Sequence, residues 1–404
     1  MQYNINKRRI LGTVLVSIVM VFAFSNFGYA KVTGAVCSTC HTMHNSQNGS
    51  NMRLGTSGVQ GAGAGECLDC HGATRAVLLR MDCLGCHAQN LSGSSNIAQP
   101  GNMPQIALST SATFLAGGNY KYVFSDDTFG HNVHGFGGII AADSNLGNNP
   151  PGYKSDYDPS FGKYQPGQLA GQLMCAGQNG CHGNRDQISP ILAMKRTHHG
   201  DDSMLKFGSN FTESRQGGGT GGASDYTTAG RSYRFLYNVH GAEEANWEGV
   251  NPSSTVHNEY KGTQFASRGQ TQGWSDVSTI SDLCAECHGK FHAGGLSGDS
   301  GIGSASPWLR HPTDVVLPAS GEYTAYTTYS IQAPIARQNI ADGTTQPSPT
   351  VTPGTDVVMC LSCHRAHASP YPDILRWDYS TMIAGGGGSG GCFTCHSKKP
   401  TNNP

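Results

Sequence analysis

The sequence predicts a loop-rich fold with short helices and few short strands, its interior filled by something other than side chains. Three observations predict this. Only 37% of the 404 residues are hydrophobic and 55 are glycine, so side chains alone bury too little apolar surface to offset the ordering entropy of the chain. Stretches rich in Gly, Ser, Thr, Asn and Pro interrupt the chain, as in "NLGNNPPG" (145–152), "RQGGGTGG" (215–222) and "AGGGGSGG" (384–391). These are loop or linker signals. Finally, twelve of the 14 cysteines recur in one repeated pattern.

The N-terminus comes first. Lys7, Arg8 and Arg9 precede an apolar run from Ile10 to Phe24, and Gly28-Tyr29-Ala30 follows. A basic segment, a short apolar core and small residues at a cleavage point form a secretory signal peptide. Residues 1–30 are therefore read as the signal and 31–404 as a single unit. No other apolar run is long enough to span a bilayer, so the mature chain is expected to be exported without an integral membrane segment. Losing those three cations takes the basic count from 26 to 23 against 27 acidic residues, a net of −4. That balance argues against nucleic acid as a partner. Charged residues make up only 13% of the chain, against about a quarter in ordinary domains.

The cysteines name the missing interior. Twelve fall into "CSTCH" (37–41), "CLDCH" (67–71), "CLGCH" (83–87), "CAECH" (284–288), "CLSCH" (360–364) and "CFTCH" (392–396). Cys-x-x-Cys-His is the attachment motif of c-type haem. Two thiols add across the two vinyl groups, and the next histidine lies under the iron as its proximal ligand. Zinc sites pair their Cys-x-x-Cys units without needing a histidine after each one. The attachment residues are then Cys37, Cys40, Cys67, Cys70, Cys83, Cys86, Cys284, Cys287, Cys360, Cys363, Cys392 and Cys395.

The remaining cysteines lie in "CAGQNGCH" (175–182), where Cys175 and Cys181 stand further apart and His182 follows directly. Gly177 and Gly180 let the inserted residues loop out. The expected reading is a seventh haem, with Cys175 reaching the second vinyl across a wider loop. The alternative is a Cys175–Cys181 disulfide, which would leave His182 without a role.

Of 17 histidines, seven are proximal: His41, His71, His87, His182, His288, His364 and His396. Ten remain, enough to give every iron a second imidazole. His44 and His367 lie three residues after a proximal histidine, and His292 lies four after. One turn cannot present both ligands to opposite faces of one haem, so each is expected to reach a neighbouring haem. "SPILAMKRTHHG" (189–200) reads as a short helix with Ser189 as N-cap and Pro190 at its first position, delivering His198 and His199. His131 or His134, His257 and His311 complete the distal set, with His240 as an extra candidate. The cofactor set is seven covalent haems c with bis-histidine iron.

Elsewhere, "GEYTAYTTYSI" (321–331) and "NYKYVF" (119–124) have strand-type composition, and "STISDLCAECHGKFH" (278–292) can form a short helix carrying its motif. The haem motifs cluster at 37–87 and 360–396.

"CSTCHTMHNS" and "CLSCHRAHASPY" resemble the doubled Cys-x-x-Cys-His multihaem cytochromes of metal-reducing bacteria. That group includes extracellular cytochromes that polymerise into nanowires. The resemblance implies bis-histidine haem, a secreted protein at the outer cell surface or in the periplasm, and electron transfer to other redox proteins or extracellular acceptors. It also implies a possible homopolymer, in which His44 or His367 completes a haem of the next subunit; the alternative is ligation within the same chain. The competing reading is a multihaem reductase of nitrite or sulfur oxyanions. Such an enzyme needs one open iron. No "CxxCK" variant occurs, and the histidine surplus argues against an open site, so no catalytic residue is assigned.

Overall fold

The computed structural model describes residues 46–47, 50–51, 83, 87–88, 105–107, 115–124, 126–133, 149–153, 173–185, 187–188, 190–194, 233–236, 239–244, 252–264, 279–288, 291, 311–340 and 347–401. Residues 1–30, the 37–41 and 67–71 motifs, Cys86, and His44, His134, His198, His199 and His292 lie outside the described residues.

Regular structure is sparse, as the composition requires. Strands β1 (Ser46–Gln47) and β2 (Ser50–Asn51) form an antiparallel hairpin. Strands β3 (Met174–Ala176) and β4 (Gly180–His182) pair in parallel, with Met174 opposite Gly180 and Ala176 opposite His182. Parallel strands ordinarily need a long crossover. Here the chain coils back within three residues, through Gly177 at φ +86 and a bond from the Gly180 amide to the Gly177 carbonyl at 2.9 Å. Two further antiparallel pairs are β5 (Gly241–Ala242) with β6 (Glu259–Tyr260), and β7 (Val315–Val316) with β8 (Val357–Val358).

Helix α1 spans Pro190–Ala193, with proline at its first residue as expected. Helix α2 spans Ile280–Ala285 inside the stretch that anticipated it. Its start is capped by the Thr279 hydroxyl, which accepts from the Asp282 amide at 3.2 Å. Among the described residues, no helix is long and apolar enough to cross a membrane.

Two expected strands are instead 3-10 helices, at Tyr120–Phe124 and Gly321–Ala325. The reason lies in the spacing of what they bury. Tyr120 and Val123 enter one apolar cluster, and Tyr323, Tyr326 and Tyr329 enter another. A repeat of three suits a 3-10 turn; a strand would alternate by two. The β-propensity of tyrosine was the misleading signal.

Among the described residues, three small apolar clusters and the pair Ala242 and Ile340 stand in for a single core. One gathers Tyr233, Leu236, Val239, Tyr260, Ile280 and Met359 with their neighbours. The second holds Ala88, Ala107, Tyr120, Val123, Val133 and Ala368. The third holds Leu317, Tyr326, Tyr329, Ile335, Val351 and Val358. The second cluster is threaded by the ribbon 366–369. The His367 amide donates to Gly117 O at 2.6 Å, Asn119 N to Ala368 O at 3.1 Å, His131 N to His367 O at 2.9 Å, and Ser369 N to Phe129 O at 2.9 Å. This close approach needs glycine at 118, where φ is +94 and a Cβ would fall 1.8 Å from Ala368 O.

Ion pairs with at least one buried partner tie segments together. Arg185 pairs with Glu286, Arg234 with Glu243, and Arg337 with both Asp356 (2.5 Å) and Glu259 (3.5 Å). The glycine run 384–391 is ordered by turns: Gly385 N donates to Lys399 O at 2.8 Å and Gly387 N to Pro400 O at 2.9 Å.

Candidate haem sites

None of the described motif cysteines is in a disulfide. Cys175 and Cys181 are among them, so the structure does not form the disulfide that was the alternative for this stretch. Successive motifs in the sequence are neighbours in space. Cys181 lies within electrostatic reach of Cys284 and Cys287. Cys284 shares a hydrogen bond with Cys360. Cys363 in turn feels Cys392 and Cys395. Burial, followed by those neighbouring thiols, pushes Cys363 up to about 12.

The histidine rings show a shared geometry. His131 faces His288 with ring centres 6.0 Å apart, His182 faces His367 at 6.3 Å, and His311 faces His396 at 6.2 Å. An imidazole nitrogen sits about 2.0–2.1 Å from a bound first-row metal ion and roughly 1.1 Å from its own ring centre, so two rings on one iron have centres about 6.3 Å apart. The interplanar angles of 48°, 57° and 85° are compatible, because rings on opposite sides of a metal can rotate about the ligand axis. Each pair joins one motif histidine to one histidine from outside any motif.

The other ring nitrogen supports the same arrangement. Nδ1 of His131 donates to Ala366 O at 2.7 Å, of His288 to Pro151 O at 2.7 Å, of His182 to Arg234 O at 2.9 Å and of His311 to Pro312 O at 2.9 Å. His396 Nδ1 meets the Glu322 carboxylate at 3.1 Å, and His364 Nδ1 donates to Asp373 O at 2.8 Å. Anchoring Nδ1–H on an oxygen fixes the tautomer and turns the Nε2 lone pair outward as a ligand. Burial, followed by neighbouring His131, lowers His288 to about 4, which keeps it neutral, the form that ligates. His367 differs. Its Nδ1 is buried with no hydrogen-bond partner. The ring is held instead by stacking on Tyr120 at 4.9 Å and by Gly117, where a Cβ would lie 2.6 Å from Nδ1.

His257 is fully buried. It stacks on Tyr329 with ring centres 3.5 Å apart, and its Nδ1 contacts Ser253 O at 3.3 Å. Its Nε2 is buried without a partner, and burial lowers the ring to about 3. An orphaned neutral nitrogen of this kind fits a metal ligand. His87 lies within electrostatic reach of both His182 and His367, with its carbonyl held by Ile106 N at 2.8 Å. His240, the extra candidate, is buried just before β5.

The irregular motif is built like a regular one. His182 forms a bridge to Leu236 and His364 to Leu375. His182 Nδ1 donates to Arg234 O and the Gly183 amide to Phe235 O at 2.8 Å; His364 Nδ1 donates to Asp373 O and the Arg365 amide to Ile374 O at 2.8 Å. In both places the two acceptor residues are left-handed, at φ 50 and 57 and at φ 58 and 59. Sequence reasoning missed these residues: "RF" carries no turn signal, and the Pro372-Asp373 turn signal was not connected to the motif. Both dipeptides directly precede a leucine, Leu236 and Leu375.

The residues present therefore fit covalent haem, with two thiols and the motif histidine together at 175–182, 284–288, 360–364 and 392–396. Comparison with known proteins agrees. A family model, the doubled CXXCH motif, matches residues 353–401. The C-type cytochrome OmcS of Geobacter sulfurreducens is 25% identical over 417 residues, covering 93% of this chain and 86% of that protein. A solved Outer Membrane Cytochrome S filament from the same organism is 18% identical at a TM-score of 0.39, over 89% of this chain and 86% of that one. A cryo-EM structure of OmcS nanowires is 20% identical at a TM-score of 0.43, over 87% and 85%.

Proposed function

We propose that this chain, a multihaem c-type cytochrome similar to OmcS, holds seven haems with two histidines on each iron and relays electrons along them. The observation that carries this is the set of three imidazole pairs at 6.0–6.3 Å, each with one motif histidine. His131 and His288, His182 and His367, and His311 and His396 are the proposed axial pairs, and His257 is a further distal ligand. Bound haem supplies the reversible one-electron chemistry. The chain holds each ring by its Nδ1 hydrogen bond or by stacking, and brings consecutive motifs into contact so that adjacent haems are close; burial favours the neutral form of His131, His182, His288, His311 and His367. The shared build around His182 and His364 supports counting the 175–182 stretch as the seventh site.

An exported location at the outer surface, with electrons passed to external acceptors or partner redox proteins, is the finer part of this reading. It is supported by the N-terminal segment and by the relative. Assembly into a filament follows the same relative, whose solved forms are described as filaments and nanowires. In this reading His367 serves its own chain, since its ring faces His182, and His44 either ligates a nearby haem of its own chain or is donated across a subunit boundary.

Intact mass and electron paramagnetic resonance test the core of the proposal. The mature protein is expected to exceed its polypeptide by seven haems and to be low-spin throughout when oxidised. A mass fitting six haems, or a high-spin signal worth one haem, overturns the count or the bis-histidine assignment and favours the reductase reading.

A further inference from the structure

We propose that the left-handed dipeptides Arg234-Phe235 and Asp373-Ile374 are clamps that set the orientation and donor strength of the motif histidines His182 and His364. The inference rests on reading those histidines as iron ligands.

Among the described residues only five non-glycine positions have positive φ, and four of them are these two dipeptides. Such conformations are disfavoured for residues with a Cβ, most of all for a β-branched one such as Ile374. They persist only where the surroundings over-determine them, and they concentrate where geometry serves function. Here the surroundings are the motif itself. Two successive left-handed residues turn two successive carbonyls to the same side. The first accepts the imidazole Nδ1–H, and the second accepts the amide of the residue after the histidine. An ordinary extended segment points alternate carbonyls to opposite sides and cannot make both bonds. A third bond closes the second copy, from the Arg376 amide to Cys363 O at 2.9 Å. Ring and motif backbone are thus held by one rigid unit, which fixes the ring plane and holds the Nδ1–H bond in place at 2.8–2.9 Å. A strong Nδ1–H bond makes the imidazole a better donor and stabilises the oxidised iron.

The test uses the mature holoprotein with Asp373→Gly, Asp373→Val, Asp373→Pro and His364→Ala. All three Asp373 variants lose the carboxylate, so differences among them report backbone conformation. Glycine adopts positive φ freely, valine resists it, and proline is locked out of it. Low-spin resonance spectra and potentiometric titration are the readouts. Asp373→Gly is expected to keep the wild-type g-values and serves as the reference for the other two. Asp373→Pro is expected to shift the g-values of one haem and raise its potential by about tenfold in the reduction constant, 59 mV for one electron. Asp373→Val is expected to move the same signal in the same direction by less, and it decides the matter if the proline variant does not mature. If Asp373→Val leaves the spectrum unchanged while His364→Ala removes a low-spin signal, the clamp has no role and the proposal is overturned. A shift in Asp373→Gly as large as in Asp373→Val overturns it as well, because the side chain would then be acting. If His364→Ala leaves every signal in place, it is the ligand reading beneath the proposal that fails.

Discussion

Replacing Glu286 with leucine tests how the structure joins two motifs. Glu286 lies inside "CAECH" and Arg185 lies three residues after His182. Their ion pair therefore links motifs that are far apart in sequence. The side chains are only 10% and 8% exposed, so solvent screens the pair little. Glu286→Leu removes the carboxylate facing a buried guanidinium, and breaking a buried pair this way costs about 3–5 kcal/mol. Arg185→Met should cost a similar amount. Removing both charges together should cost far less than the two single changes combined, because neither charge is then left without its counterpart. Guanidinium unfolding of the holoprotein, followed at the haem absorption band and by far-ultraviolet circular dichroism, yields the double-mutant cycle. Single variants within about 0.5 kcal/mol of wild type, or additive costs, would refute the reasoning.

Gly118→Ala should destabilise the protein by about 3 kcal/mol or more, since it combines a positive φ with a Cβ pressed onto Ala368 O; thermal unfolding measures it. Tyr326→Phe should cost about 1–3 kcal/mol in the same assay. The buried Tyr326 hydroxyl donates to Ala333 O at 2.5 Å and accepts from Ser330 N at 3.2 Å, and both partners would lose it. His311→Met should leave the haem count by mass unchanged while removing one bis-histidine signal from the resonance spectrum, the one assigned to His396. An unchanged spectrum would dissociate His311 from that iron.

The motifs are legible in the sequence because their chemistry is local: two thiols and a histidine must be close in the chain to serve one porphyrin. The loop-rich fold follows from the same composition that made room for the cofactor. The partners of the rings are not legible. His367 meets His182 only because the ribbon 366–369 lies against 117–131, a contact between segments far apart in the chain with no local signature. The tyrosine-rich stretches misled because β-propensity describes a half-buried pleat, while Tyr323, Tyr326 and Tyr329 bury with a spacing of three. Low overall charge also concealed how much of it is internal. Arg185, Arg337, Glu259, Asp356 and Glu286 are all buried, and nothing in their neighbours marks them as interior.

The facing rings carry a topological consequence. On the proposed pairing, an iron closes a loop from 131 to 288, another from 182 to 367 and a third from 311 to 396. These loops overlap in sequence like links of a chain: the second opens before the first has closed, and the third opens before the second has closed. Every peptide bond from 131 to 396 therefore lies inside at least one closed loop. No cut in that span separates the protein into two pieces without also breaking an iron–histidine bond. Cross-links of this reach restrict the unfolded ensemble much as disulfides do. On that pairing the chain would be braced from 131 to 396 by its cofactors, and a nick in one of the glycine-rich stretches there would not release a fragment.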